Sequence, residues 1–95
     1  MADYSFLNQQ LTILLSLLND VLSNSEISEV QEFIDVDEYG LAFHTLLDII
    51  DEESKSVTES AFELAKRIAI TMEFDGKAVE KKLKPHLKKA NSQFK

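Results

Sequence analysis

The chain reads as an all-α protein, a small antiparallel bundle of four to five helices. Three observations predict this. Apolar residues recur at helical spacing in every long segment. Only two glycines and one proline punctuate 95 residues, too few for many short strands. No segment of four or more residues alternates as a half-buried strand does. At 44% apolar content the chain folds into a globule and is no disordered acidic tail. Its length makes one domain, 1–95, with a small core. Residues 90–95 are expected to fray.

The first helix is expected from about Asp3 to Leu22. Leu7, Leu11, Leu14, Leu15, Leu18 and Leu22 make one stripe. Phe6, Ile13, Leu17 and Val21 widen it beyond a single face. Helices apolar all round are usually buried, so this one is expected at the centre of the bundle. The alternative is a second stripe that meets another chain.

Asn24 or Ser25 can cap a second helix by accepting from free N–H groups of its first turn. Ile27, Val30, Phe33 and Ile34 form the inner stripe of that helix. Asp37 can cap a third helix, with Glu38 in its first turn where the helix dipole favours negative charge. Tyr39, Ala42, Phe43, Leu46, Leu47 and Ile50 share one face of it. A short acidic loop, Asp51 to Ser56, follows. Ser56 and Glu59 have capping-box spacing and start a fourth helix. Its stripe is Ala61, Phe62, Ala65, Ile68, Ala69 and Met72, and the three alanines allow close helix approach. Asp75-Gly76 breaks the chain. A lysine-rich fifth helix follows from Lys77, with Val79, Leu83 and Leu87 inward. Pro85 falls in a first turn, or it ends or kinks that helix.

Charge is segregated along the chain. The first 54 residues contain no lysine and no arginine, and eleven acidic residues lie between Asp20 and Glu53. Residues 1–74 carry fifteen acidic against three basic side chains, a net of −12. Residues 75–95 carry seven lysines against two acids, a net of +5. A block of one sign repels itself, and here it lacks the interspersed lysines that normally pair with Glu at helical spacing. The simplest use for it is a negative surface that meets a positive partner. An acidic body repels phosphate, so no direct nucleic-acid binding is expected.

Other chemistry finds little support. The chain has no cysteine, which removes disulfides, thiolate zinc sites and cysteine nucleophiles together. Thr12, Ser16, Asn19 and Asp20 interrupt Leu11–Leu22, which falls short of the roughly 18 apolar residues that span a bilayer. The first residues lack the basic start and cleavage site of a secretory signal. A cytoplasmic protein without membrane contact is expected. Asp35-Val36-Asp37-Glu38-Tyr39-Gly40 has the outline of a calcium loop, but Tyr39 and Leu46 stand where two ligands are needed. His44 lies beside an apolar face and His86 among lysines, and neither completes a zinc set. No G-x-S-x-G step marks a serine nucleophile, and no Asp-Ser step marks an acyl carrier. The expectation is no enzyme, no cofactor and no metal.

The stretch Glu29–Asp48 carries a resemblance, centred on Glu38-Tyr39-Gly40-Leu41-Ala42. It resembles the MafI-type family of bacterial immunity proteins and related immunity proteins of contact-dependent growth inhibition. The likeness is clearest over Val30–Ile50, about a fifth of the chain. A departure is Asp37, where glycine is common in that pattern. The resemblance implies a small cytoplasmic antidote that binds and blocks the C-terminal toxin domain of a secreted or surface-displayed effector. Several toxins linked to the family are nucleases, and an RNase is the expected target.

The residues lead to the same partner chemistry. A nuclease site is cationic because it holds phosphate, and an acidic surface can occupy it with fast, salt-sensitive association. The expected partner-binding residues are Glu29, Glu32, Asp35, Asp37, Glu38, Tyr39, Asp48, Asp51, Glu52 and Glu53. Tyr39 adds an aromatic anchor if exposed, and otherwise packs against the second helix. Gly40 is read as structural, allowing close approach of the first helix. The rival reading is an acidic helical adaptor that docks on a basic protein. An upstream reading frame ending in a toxin domain would separate the two. The chain is expected to be a monomer or weak homodimer. Treatment with chelator should leave the circular-dichroism spectrum unchanged. Loss of helicity on removing calcium or zinc would contradict this reading.

Overall fold

The computed structural model describes residues 4–88, and it is all-α. In chain order the helices are α1 (Tyr4–Leu17), α2 (Asn24–Asp35), α3 (Tyr39–Glu52), α4 (Glu59–Thr71) and α5 (Gly76–Leu83). A 3₁₀ turn, Lys84–His86, follows. No strand forms among the described residues; Val57 and Leu87 make one isolated parallel bridge. The expected start at Asp3 and the expected fraying of 90–95 lie outside the described residues.

α2 packs chiefly on α3, α1 on α4, and α4 on α5. The leucine stripe of α1 is buried as its spacing predicts, together with Val30, Ile34, Phe43, Leu46, Ile50, Ile68 and Leu83. Ala61, Ala65 and Ala69 are all buried, so α4 meets its neighbours with small side chains. Ile27, Phe33, Met72 and Leu87 are only partly covered.

α1 packs on α4, α3 and α2, but it is not buried all round as its composition suggests. Phe6, Ile13 and Leu17 remain 45%, 48% and 42% exposed. The helix also stops earlier than Leu22. The Leu18 amide is shared between the carbonyls of Leu14 and Leu15, and the Asn19 amide bonds Ser16 at 3.2 Å. Such three-residue bonds tighten a last turn. Asn19 and Asp20 then offer side-chain competition for the backbone. Leu18 and Leu22 still reach the core from the turn.

The helix starts are shifted from their expected residues. Ser23, not Asn24 or Ser25, caps α2. Its hydroxyl accepts from the Glu26 amide at 3.1 Å while Glu26 accepts from the Ser23 amide at 2.8 Å, a reciprocal box. Asp37 does not cap α3; Glu38 occupies the cap position with no side-chain bond. Thr58, not Ser56, caps α4, accepting from the Ala61 amide at 3.2 Å. Asp75 caps α5 through the Lys77 amide. Pro85 lies in the 3₁₀ turn that follows α5.

Three helices end in the same way, without glycine. Asp37, Ser54 and Glu73 have φ of 62°, 52° and 62°. Each follows the cap residue of α2, α3 or α4. In each case the next amide bonds back to the third-last helical carbonyl: Glu38 to Phe33, Lys55 to Ile50, Phe74 to Ala69. This is the Schellman arrangement, whose left-handed position glycine fills at least cost. Gly40 sits elsewhere, in the first turn of α3. A Cβ there would meet the Phe74 ring at 3.7 Å, an ordinary contact, and not α1. Gly40 is therefore not required for close approach of the first helix.

Glu73→Gly should stabilise the fold by about 0.5–1 kcal/mol, because a long side chain in the left-handed region costs more than the added chain entropy of glycine. Urea unfolding checks this. A lowered midpoint would mean that the Glu73 side chain contributes more than its backbone strain removes.

Candidate functional site

α2 and α3 form a helical hairpin joined by Val36–Glu38. Every acidic residue expected to bind a partner is exposed on it or just beyond its end. They do not form one patch. Glu38 and Glu52 bracket α3, and at 1.5 Å per residue they lie about 21 Å apart along the axis.

At the open end of the hairpin the side chains converge. Glu26, Glu29, Thr45, Asp48, Ile49, Glu52 and Glu53 line a groove of about 380 Å³ between the two helices. Thr45, Asp48, Ile49 and Glu52 follow at three- and four-residue steps, so they share one face of α3. Glu26 and Glu29 stand opposite on α2 at a three-residue step. Of the expected residues, Glu29, Asp48, Glu52 and Glu53 therefore come together. Asp35, Asp37 and Glu38 lie at the other end, with Glu32 between. Glu26, Thr45 and Ile49 were not among the expected residues. The antiparallel register of two helices joined by a three-residue corner is the signal that places them.

Basic side chains from later in the chain reach part of this surface. Lys55 pairs with Glu26 at 3.1 Å, Lys82 with Asp48 at 2.7 Å, and His86 Nε2 lies 3.0 Å from Asp51 Oδ1. Asp35 accepts from the Gln31 amide at 2.8 Å. Among the described residues no ion pair engages Glu29, Glu52 or Glu53. Within the groove Glu26 on the α2 side and Asp48 on the α5 side are thus paired, while Glu29, Glu52 and Glu53 are not in an ion pair. Partly exposed pairs of this kind contribute about 0.2–1 kcal/mol each. Their larger effect is to fix which carboxylates are available.

Two protonation equilibria respond. The Ser23 backbone N–H holds the Glu26 carboxyl below its ordinary 4.5; desolvation opposes it, and Lys55 and the Ser23 hydroxyl add to it. The Asp48 hydrogen bond raises Lys82 above its ordinary 10.5, with the fields of Asp48, Asp51 and Glu52 adding and burial opposing. The Lys82 contribution to stability is present below its ordinary value and is lost as pH rises through its raised folded value. The Glu26 contribution is present above 4.5 and is lost as pH falls through its depressed folded value.

Tyr39 is a core residue, at 6% exposure, and not a presented anchor. Its hydroxyl donates to Asp37 at 2.8 Å and accepts from Asn8 of α1 at 3.4 Å. The side chain of Asp37 is therefore turned to the corner, tying it to the start of α3. His44 is exposed, with its ring 4.9 Å from that of Phe74. His86 faces Asp51 and not its lysine neighbours. Among the described residues no three His, Cys, Asp or Glu side chains are placed to hold a metal ion. No described helix is long and apolar enough to cross a membrane.

No protein-family model, no curated protein and no solved structure matches the chain.

The stability gap between wild type and Glu26→Gln should narrow as pH falls below 4.5, because glutamine keeps the box geometry without the charge. Thermal unfolding across acidic pH measures it. A gap independent of pH would mean that the Glu26 charge is irrelevant to the fold.

Proposed function

We propose that this protein is an immunity protein that neutralises a cationic toxin domain, a nuclease and most simply an RNase, at the groove between α2 and α3. The observation that carries the proposal is Glu29, Glu52 and Glu53 side by side on an exposed concave surface without an ion pair among the described residues. Lysine or arginine side chains of a phosphate-binding site have the complementary charge. The groove is open to water, so an entering cation gives up little hydration. Thr45 offers a hydroxyl and Ile49 an apolar contact between the carboxylates. Long-range attraction speeds encounter, and occupation of the cationic site competes with its phosphate substrate.

The Glu38–Ala42 resemblance supports the same reading. The departure at Asp37 leaves the corner intact, since Asp37 holds the backbone conformation that glycine adopts freely. On this proposal the groove is the primary contact. Asp35, about 9 Å beyond Glu29 along α2, and Glu38, about 21 Å from Glu52 along α3, form at most a second contact with a large partner. The protein acts in the cytoplasm, where such a toxin meets its substrate, and it performs no catalysis.

The test is protection of cells that express the toxin domain encoded beside this chain. Charge reversal at Glu29, Glu52 and Glu53 should abolish protection while the helical spectrum is kept. The strongest single reversal should cost on the order of 2 kcal/mol in affinity, and rim charges much less. Lys81→Glu with Lys84→Glu is the control, since both are exposed and outside the groove. Lys82 is not a neutral control, because it pairs with Asp48. Wild-type association should slow as salt shortens the Debye length from about 10 Å at 0.1 M to about 3 Å at 1 M. Full protection by the acidic-reversal variant, with failure of the lysine variant, would place the binding surface on the basic segment instead.

A further inference from the structure

Two of the carboxylates lining the groove are held by lysines of the same chain, and the two pairs differ in kind. Lys55 holds Glu26 at 3.1 Å, and the Glu26 side chain also accepts from the Ser23 amide in the box that starts α2. The side chains of that pair are only 20% and 19% exposed. Lys82 Nζ lies 2.7 Å from Asp48 Oδ1, and those side chains are 36% and 55% exposed. Among the described residues the Asp48 carboxylate has no partner besides Lys82. The Lys55–Glu26 pair is thus tied to a helix start, while the Lys82–Asp48 pair is open to water and to exchange.

We propose, taking the groove as the partner surface, that Lys82 is an internal competitor at Asp48, which a cationic partner displaces as it enters. Val79 and Leu83 are buried and anchor α5 in the core. Behind it Val57 bonds His86 and Lys88 at 2.8 and 2.7 Å. α5 therefore stays in place, and only the Lys82 side chain has to leave. Its flexible four-carbon stem swings the ammonium into water without undocking the helix.

The exchange is balanced in charge: one cation leaves Asp48 as another arrives. A tethered ammonium competes at high effective concentration, so a free monovalent cation does not dislodge it. The competitor is also charged throughout the neutral range, since the Asp48 hydrogen bond, with the fields of Asp48, Asp51 and Glu52 against burial, raises Lys82 above its ordinary 10.5. A partner that also engages Glu29, Glu52 and Glu53 draws on three further carboxylates and displaces it. Lys82 in this way reserves the groove for a partner that brings several cations to one place.

Titration of the full chain with a hexa-arginine peptide, followed by amide shifts at about 0.15 M salt, tests this. At that ionic strength exposed charges more than about 8 Å apart are largely screened, so a change in net charge alone has little effect. Lys82→Met keeps the side-chain length and removes the charge. It should bind the peptide about two- to fivefold more tightly than wild type, the range set by an exposed ion pair. Lys81→Met carries the same net charge and should bind as wild type does. Lys82→Met added to Asp48→Asn should give no gain over Asp48→Asn alone. In the wild-type chain, with no variant needed, the Lys82 side-chain signals should move together with the groove amides as peptide is added. Equal tightening by Lys82→Met and Lys81→Met would overturn the displacement, as would a gain that survives Asp48→Asn. So would weaker binding by Lys82→Met, or Lys82 signals unmoved while the Glu29, Glu52 and Glu53 amides respond. Those three amides silent in every protein would remove the groove reading itself, and the displacement with it.

Discussion

The Lys82–Asp48 ion pair, with His86 beside Asp51, is the contact on which the charge organisation of this molecule depends. A chain with no basic residue in its first 54 positions must recover its counter-charge from later segments. α5 and the 3₁₀ turn bring that charge back along one side of α3. The backbone bonds between Val57 and the His86–Lys88 segment, at 2.7 and 2.8 Å, hold the return in place. Repulsion among the carboxylates is relieved at Asp48 on that flank and at Glu26 by Lys55, and retained at Glu29, Glu52 and Glu53. The groove itself is placed by the packing of α2 on α3, and the pairing decides which of its carboxylates remain available.

The apolar pattern was legible because it depends on a periodicity that packing preserves. The stripes of α3, α4 and α5 read off the sequence enter the core, with Met72 and Leu87 only partly covered at its edge, and the two alanines flanking Ala65 at four-residue steps mark the close face of α4. Helix ends were less legible. Asp37, Ser54 and Glu73 take left-handed conformations that their side chains do not advertise, while the two glycines stand at helix starts. Ser23 and Thr58 cap helices beside Asn24, Ser25 and Ser56, which have equally suitable side chains. Such choices are settled by where the chain must turn, a tertiary matter. The excess of apolar residues on α1 gave no hint of which stripe would face water, because Phe6 and Leu7 are equally apolar in composition and only one of them faces the core.

The site divides in the same way. Exposure of the carboxylates was legible, since nothing in the chain before Lys55 could pair with them. Their division into a groove and a distant corner was not, because it requires the antiparallel register of α2 on α3. Nor was the partnering of Asp48 and Asp51, which joins residues 34 and 35 positions apart. Tyr39 misled because an aromatic residue within an acidic run suits either a surface or a core. Its bonds to Asp37 and Asn8 make it a brace between α1 and the hairpin corner.

The groove side chains Glu29, Glu52 and Glu53 form the surface proposed to meet a cationic partner. Backbone amide shifts recorded during titration with the toxin domain would test it most directly, since they report every surface at once. The largest changes should fall at Glu29, Thr45, Ile49, Glu52 and Glu53, with α1 and residues 81–88 little affected. Changes centred on residues 81–88, with the groove amides unmoved, would contradict it.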